Sequence, residues 1–585
     1  MRLALLLWMT GCSGTVCWFD QCVDEPTKTV DALECPPEMS WEIVAKPFLN
    51  TWCTSCHASA LNPNDRMGAP QGVDFDTWEG AAQWSDRIAA VSHGEGATMP
   101  PAGGPTDAER EAIVAWVACG ALGPVTAFGL CEQPRVVEGD VRVTSDVDTE
   151  ALCDGGDGLQ IAGDLFVAAT TDIMPACVCA VDGDLTVEGL TASTMRWAAL
   201  RQVGGDLTLA DNHGTRDMSF PELVGVQGTL FVERNDVSQR VDLPNLATIG
   251  GDLRVTERGT GGGFTAPRLA SVDGEVAVQD NPQLLQLELL RLASTGGSIQ
   301  ITDNPRLADI GSLDTLTRVG GDLVISGSGL RSFTGLRYIT ELRGDLTLSD
   351  HESLTAIDLL HVLEAIDGAV TLEQMPALTT IQGFYQLLQV EGDLTLTSVH
   401  LSDLLAFETI RQIGGAMTVE RMPALQTLEM STQSIDGGLR IHDNGALEGV
   451  AGWSYLERLG NLRISENPLL REVRGLAGLT TVSGELAVVD NPRLLDLDGL
   501  VGLSDIAGSL TLHNDDALAD IEGLHNLTRI GGDLVITDNA ALSIKSVEAL
   551  LEAIGADSVE GTIVLRGEDE TSPSDEESDT GLSSG

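Results

Sequence analysis

The chain has 585 residues, 88 of them acidic and 33 basic, for a net charge of −55, and its only lysines are Lys28, Lys46 and Lys545. Such a surface repels phosphate backbones and anionic lipid, which argues against nucleic acid as a partner. Hydrophobic residues make up 43%, enough to bury a substantial core, and the length suits several domains or one long repeat array.

The chain opens MRLALLLWMTGCSG. Arg2 is a small positive n-region, and residues 3–9 form an apolar run far too short to span a bilayer. Thr10-Gly11-Cys12 then supplies small residues followed by a cysteine. The segment resembles a bacterial lipoprotein signal, which implies residues 1–11 as signal peptide and Cys12 as the lipid-modified first residue. An ordinary cleaved signal peptide is the alternative. No other apolar run reaches transmembrane length, so the expected anchorage is by lipid alone.

The eleven cysteines stand at 12, 17, 22, 35, 53, 56, 119, 131, 153, 177 and 179. Setting aside Cys12 for lipid and Cys53 and Cys56 for the motif below leaves eight, enough for four disulfides in an oxidising compartment. Their pairing cannot be read from the sequence. No cysteine lies in the last four hundred or so residues, which must hold together by packing.

Residues 12–35 read as a Cys-containing linker, and 36–130 as a small helical domain. Pro47-Phe-Leu-Asn-Thr-Trp52 suits a helix with proline in its first turn, and Phe48 and Trp52 share a face at i, i+4. It leads into Cys53-Thr54-Ser55-Cys56-His57, a C-x-x-C-H run. Two thiols at this spacing can bond to the two vinyl-derived carbons of one haem, and the adjoining histidine can ligate its iron. A zinc half-site lacks a second C-x-x-C or H-x-x-x-H nearby. A thioredoxin-like pair lacks a surrounding βαβ pattern. A plain disulfide leaves His57 unexplained.

Trp41, Trp52, Trp78, Trp84 and Trp116 crowd into this segment and suit the packing shell of a large flat cofactor, or simply of a small core. Met99-Pro100-Pro101 forms a stiff loop. Thr106 and Glu109 make a capping box for a terminal helix whose buried stripe is Ile113, Trp116 and Val117. With Trp116-Val-Ala-Cys-Gly-Ala at its end, the arrangement resembles the small mono-haem cytochrome c domains of environmental bacteria. The resemblance implies one covalent haem c with His57 and Met99 as axial ligands. Met67, in an Asn-Asp-Arg setting that suggests an exposed loop, and His93, beside Gly94 and Gly96, are the rival sixth ligands. A thioether favours a higher potential than a second histidine, and a filled sixth position suits electron transfer rather than catalysis.

From 131 to 567 one motif recurs, Gly-x-Leu-x-[Ile/Val/Leu], most often as Gly-Asp-Leu and with Val, Ile or Met replacing the Leu in some copies, in nineteen instances from Gly139 to Gly561 at a step of mostly 23 or 24. A fixed period in this range means a solenoid. In the unit beginning at Gly297, Ile299 and Ile301 alternate with polar residues as a short strand. Asp303-Asn304-Pro305 turns the chain, and Leu307, Ile310, Leu313, Leu316 and Val319 point inward. Asn212, Asn235, Asn281, Asn304, Asn444, Asn467, Asn491, Asn514 and Asn539 recur at that turn, where stacked coils would form a ladder. A calcium site using the preceding Asp lacks the Gly-Gly-x-Gly-x-Asp repeat.

The pattern resembles the receptor L-domain, which implies a right-handed β-helix. At one sheet spacing per coil, the rod would be on the order of 90 Å long. Cys131, Cys153, Cys177 and Cys179 staple its first turns, residues 546–554 form a capping helix, and the acidic tail 568–585 has the composition of disorder. The array's seven histidines (213, 351, 361, 400, 442, 513 and 525) are scattered and read as exposed turn residues. No phosphate loop, G-x-S-x-G or H-E-x-x-H is present.

The expected protein is multidomain: a small all-α cytochrome c domain followed by a long all-β solenoid. It is expected to be an electron carrier rather than an enzyme, exported to a bacterial cell envelope, with an unidentified redox partner. The alternative is a surface binding or adhesion protein whose solenoid recognises a protein or glycan. A haem peroxidase is the third class.

Overall fold

The computed structural model describes residues 15–18, 21–24, 41–54, 57–58, 66, 69–70, 73–92, 105, 107–119, 121, 134–154, 158–168, 174–190, 192–235 and 240–566. An antiparallel hairpin, Thr15–Trp18 with Gln21–Asp24, comes first, with Cys17 opposite Cys22 in its register. A helical segment follows. After a π-helical turn at Trp41–Ala45 come α1 (Lys46–Trp52), α2 (Trp78–Gln83), α3 (Ser85–Ser92) and α4 (Asp107–Ala118). Proline in the first turn of α1 agrees with the sequence reading. Thr77 caps α2 by accepting the Gly80 N–H.

These helices share a core distinct from that of the rest of the chain. Trp41, Phe48, Leu49, Phe75, Ile88, Ile113 and Trp116 are buried in it, and Trp52, Trp78, Trp84 and Val117 pack against it. All five tryptophans of the segment therefore belong to one small cluster. Trp41 and Trp116 meet at 6.3 Å. The Arg110 guanidinium donates to the Ser92 carbonyl at 2.6 Å and ties α4 to the end of α3.

The remainder is a parallel β-solenoid of right-handed type. Nineteen short strands stack in chain order into one long sheet. Its first strand, Val141–Val143, and its last, Ile563–Leu565, each pair on one side only, so the sheet is an open ladder rather than a closed barrel. Two further faces carry shorter strands, and one-turn 3-10 segments such as Gly311–Leu313 and Asp498–Leu500 stand in for strands in some coils. Strand side chains alternate in and out, and register places like on like: Ile299 beside Leu323, Ile301 beside Ile325. The five inward residues expected for the Gly297 coil, from Leu307 to Val319, are each at most 1% exposed. The interior is a single apolar cluster from Val143 to Val559.

The Gly-Asp-Leu signature has a steric and a polar cause. A Cβ on Gly183 would lie 2.1 Å from Asp164 Oδ1 and 2.9 Å from the Gly163 carbonyl carbon of the coil before, so glycine stacks on glycine. The aspartate beside it accepts a backbone N–H from the next coil. Asp184 N–H donates to Asp164 Oδ1 and Asp206 N–H to Asp184 Oδ1, both at 2.8 Å, and Thr229 N–H to Asp206 Oδ1 at 2.7 Å.

The asparagine ladder forms as expected, with one correction. Asn212, Asn235, Asn281, Asn304, Asn444, Asn467, Asn491 and Asn539 are buried. Each link has the form of Asn444 N–H to Asn467 Oδ1 at 3.1 Å, with the side-chain amide reaching a strand carbonyl of the preceding coil, as Asn467 Nδ2 does to Ile441. The residue before each ladder position is left-handed, as at Asp303 (φ 55°), Asp443 (φ 51°) and Asp490 (φ 59°). Asp and Asn tolerate that conformation best after glycine, which gives the bend aspartate a conformational role. Asn514 is not in the ladder. It takes the left-handed bend itself (φ 56°), and Asp515 occupies the buried position. The ladder is also broken in mid-rod, where Met375, Val399 and Met422 follow the left-handed residue instead.

His351 is a second correction. It is fully buried in a ladder position, with Nε2 3.2 Å from the Ile325 carbonyl and Nδ1 3.2 Å from that of Ser328, and burial pulls its pKa down.

At the ends, α5 (Asp146–Cys153) lies over the first coils and is fixed by a Cys153–Cys177 disulfide. Cys119 and Cys179 are also disulfide-bonded, and Cys131 lies outside the described residues. The last coils are closed by α6 (Ile544–Ile554), capped by Ser543 and burying Val547, Leu550 and Ile554. The linker, except for the hairpin, and the tail 568–585 lie outside the described residues.

Candidate functional site

The C-x-x-C-H run begins where α1 ends. Cys53 is the C-cap of α1, and its N–H donates to the Leu49 carbonyl at 2.8 Å. Thr54 N–H shares that acceptor at 2.9 Å, and its hydroxyl bonds the Asn50 carbonyl at 3.1 Å. His57 N–H donates to the Cys53 carbonyl at 2.9 Å. Cys53 and His57 are thus joined by one backbone hydrogen bond just past the end of the helix. Cys56, Met99, Met67 and His93 lie outside the described residues, as do Cys12 and the leader around it.

The His57 ring is held on two sides. Its Nδ1 is 2.9 Å from the Val73 carbonyl oxygen, and the ring stacks on Phe75 at 4.6 Å between centroids and 21° between planes. Phe75 N–H in turn donates to the His57 carbonyl at 2.7 Å. A carbonyl can only accept, so Nδ1 is the donor, and in the neutral ring the lone pair lies on Nε2. Nε2 has no hydrogen-bond partner among the described residues. A histidine tied at Nδ1 to a backbone carbonyl is the usual posture of a metal-ligating imidazole, because the bond fixes the tautomer and raises the basicity of the other nitrogen.

Two donors near the motif are left unpaired. Trp52 and Trp84 pack into the same small core, and the indole N–H of each is buried with no hydrogen-bond partner. An unpaired buried N–H costs about 1–3 kcal/mol, and a polar group on a bound cofactor would relieve it. Trp78 Nε1, by contrast, donates to the Ala121 carbonyl at 3.0 Å.

Three parts of this site escaped the sequence reading. The Val73 carbonyl is backbone and leaves no residue-type signature. Phe75 lies eighteen residues from the motif, with nothing to mark it. Arg66 was placed in an exposed Asn-Asp-Arg loop, yet it is 2% exposed, its Nη1 and Nη2 bonded to carbonyls and Asp74 and its Nε left unpaired.

On the solenoid, all three tyrosines of the chain are exposed, Tyr338 by 56%, Tyr385 by 54% and Tyr455 by 72%. Tyr455 borders a notch of about 470 Å³ with Gln433, Asp436, Glu457, Arg458 and Thr481. Among the described residues, no three His, Cys, Asp or Glu side chains are grouped so as to hold a metal ion, and no helix is long and apolar enough to cross a membrane. No family model matches the chain, and no curated protein is detectably similar to it.

Proposed function

We propose that this protein is an exported mono-haem electron carrier, its helical segment a c-type cytochrome domain mounted on a solenoid scaffold with receptor L-domain character. Iron held in a porphyrin would supply the redox chemistry, taking up and giving back one electron. The chain's own residues attach and orient it. Cys53 and Cys56 would be the thiols that hold the porphyrin, and His57, through Nε2, and Met99 would be the side chains that hold its iron. Trp52, Trp84 and the core around Leu49 and Trp116 exclude water from the site.

The observation that carries this reading is the His57 posture: Nδ1 bonded to Val73, the ring stacked on Phe75, and the backbone N–H bonded to Cys53. Cys12 is the proposed lipid attachment, and the cell envelope the proposed location. The test is an optical spectrum of protein made with haem-maturation machinery, beside a Cys53→Ala, Cys56→Ala variant. Covalent haem is expected in the first and not in the second. Colourless wild-type protein, or unchanged covalent haem in the variant, overturns the assignment. Carbon monoxide binding to the reduced protein separates a carrier from a peroxidase, since a Met99-filled iron binds it slowly.

A second reading draws on the exposed Tyr338, Tyr385 and Tyr455 and the notch beside Tyr455. In it the solenoid recognises a protein or glycan at the cell surface, and the haem domain is an accessory. Loss of surface attachment, with redox activity retained, on deletion of 131–567 would favour it.

A further inference from the structure

Arg66 is buried and bonded through both terminal nitrogens, with its Nε unpaired, and the haem reading gives it no role. Its Nη1 donates to the Ala58 carbonyl at 2.8 Å. Its Nη2 lies 3.0 Å from the Pro70 carbonyl, 3.0 Å from the Val73 carbonyl and 2.6 Å from Asp74 Oδ1. A guanidinium buried to this degree, 2% exposed, is costly unless paired, and Asp74 is its ion-pair partner. One of these acceptors matters more than the rest. The Val73 oxygen that receives Arg66 Nη2 is the same oxygen that receives His57 Nδ1–H.

A carbonyl shared with a guanidinium is a poorer acceptor for the imidazole. The stronger the Nδ1–H bond, the more imidazolate character the ring acquires and the better it supports the higher oxidation state of a bound metal. Sharing Val73 with a cation works against this, and so does a positive charge buried near the ligand. Both effects favour the reduced iron.

We propose that Arg66, oriented by Asp74, is a positioning residue that weakens the His57 hydrogen bond through the shared Val73 carbonyl and so raises the reduction potential of the haem. The proposal rests on the haem reading and adds to it a direction of tuning and the two side chains that set it. Lysine at 66 would keep the charge but, as a compact point donor, could not span three carbonyls. The Val73 oxygen would then return largely to His57. Asparagine at 74 would leave the guanidinium in place without its counter-charge.

The experiment uses the full chain with haem attached. The midpoint potential is measured by spectroelectrochemical titration, and the His57 Nδ1–H shift of the reduced protein by proton NMR, for the wild type, Arg66→Lys and Asp74→Asn. Arg66→Lys is expected to lower the potential, with the oxidised-to-reduced ratio at fixed potential rising about tenfold, or about 59 mV for one electron, and to move the Nδ1–H resonance downfield as its hydrogen bond strengthens. Asp74→Asn is expected to move both quantities the other way. Potentials unchanged in both variants, or displaced in the same direction, would overturn the proposal, since a purely structural role would alter melting without opposing shifts. If Arg66→Lys does not retain haem, Asp74→Asn decides alone, because its side chain is only partly buried. Wild-type protein without covalent haem is a different failure: it removes the haem reading, and this proposal with it.

Discussion

The helical segment and the solenoid keep a chain folded by opposite means. The segment at 41–121 has one small core, with ten buried apolar residues among the described ones, and its polar groups are settled by single arrangements such as Arg66 on its carbonyls. The solenoid has one unbroken core from Val143 to Val559 and settles its polar groups by repetition, coil after coil, along the asparagine and aspartate ladders. Its last four hundred or so residues do this without a cysteine. A small core needs staples or a cofactor to be stable, whereas a stack of coils needs only neighbours and closed ends. The difference teaches where each region is fragile: the first at the few single contacts that fix its one small core, the second at any coil whose ladder fails.

The largest effect is expected from breaking the ladder. Asn467 Oδ1 accepts both the N–H and the side-chain amide of Asn444, and its own amide reaches the Ile441 and Ser465 carbonyls. Asn467→Leu orphans these buried groups at about 1–3 kcal/mol each, a total of roughly 5 kcal/mol. Hydrogen exchange should accelerate in the coils between Gly437 and Asn491 and leave the helical segment unchanged. Met422, whose side chain fills a ladder position without a polar bond while its N–H donates to Asn444 Oδ1, sharpens the contrast, since Met422→Leu should be nearly neutral.

Asp515 should behave as a pH-dependent weak point. It is fully buried, its Oδ1 accepts from Asn491, and its Oδ2 has no partner. Burial pushes its pKa up to about 7 from 3.8. A raised folded-state pKa means the native state holds a proton that the unfolded chain releases, so stability falls as pH rises from about 4 to 7 and stays low above that. Asp515→Asn supplies a permanent donor and removes this loss. Relative to wild type it should gain roughly 4 kcal/mol above pH 7 and nothing below pH 4. A pH-independent difference in denaturant midpoint would show that Asp515 is ionised in the fold.

A smaller cost is expected where glycine stacks on glycine. Gly183→Ala puts a methyl group against Asp164 and Gly163 of the preceding coil, so the coils must part locally, at about 1–3 kcal/mol. The same change at Gly139, whose Cβ would meet nothing within 4 Å, tests only its left-handed backbone (φ 81°).

The solenoid was legible because its physics is periodic. Nineteen copies of a strand pattern average out local accidents, so the inward positions of the Gly297 coil and the capping helix at Ile544–Ile554 follow from spacing alone. Asn514 was misplaced by one residue because Asn and Asp suit both the bend and the ladder, and only backbone geometry distinguishes Asn514-Asp515 from Asp490-Asn491. His351 was misjudged for a related reason: a polar residue in one coil inherits the burial of its column, which its own type does not announce. In the helical segment the motif residues and tryptophans were legible, but not what fixes them. A backbone carbonyl such as Val73 and a buried arginine such as Arg66 are set by the path of one loop that occurs once.

The two regions also touch, and the smallest expected effect tests whether the contact matters. Lys46, at the start of α1, places its ammonium 2.6 Å from Asp273 Oδ2 of the solenoid. In a chain of net charge −55 with three lysines, this is a rare cation facing a carboxylate-rich rod. The pair is half open to water, so its direct contribution should be below about 1 kcal/mol and weaken with salt. Lys46→Ala should therefore leave both melting transitions within a degree or two of their wild-type positions. What it should change is the relation between them: the helical segment, freed from Asp273, should gain rotational mobility, seen as faster fluorescence anisotropy decay of a label on α3 at low ionic strength. In high salt the wild type should come to resemble the variant. If the decay is the same in both at low salt, the two regions are held together by something other than this ion pair, and the rod does not orient its helical segment through Lys46.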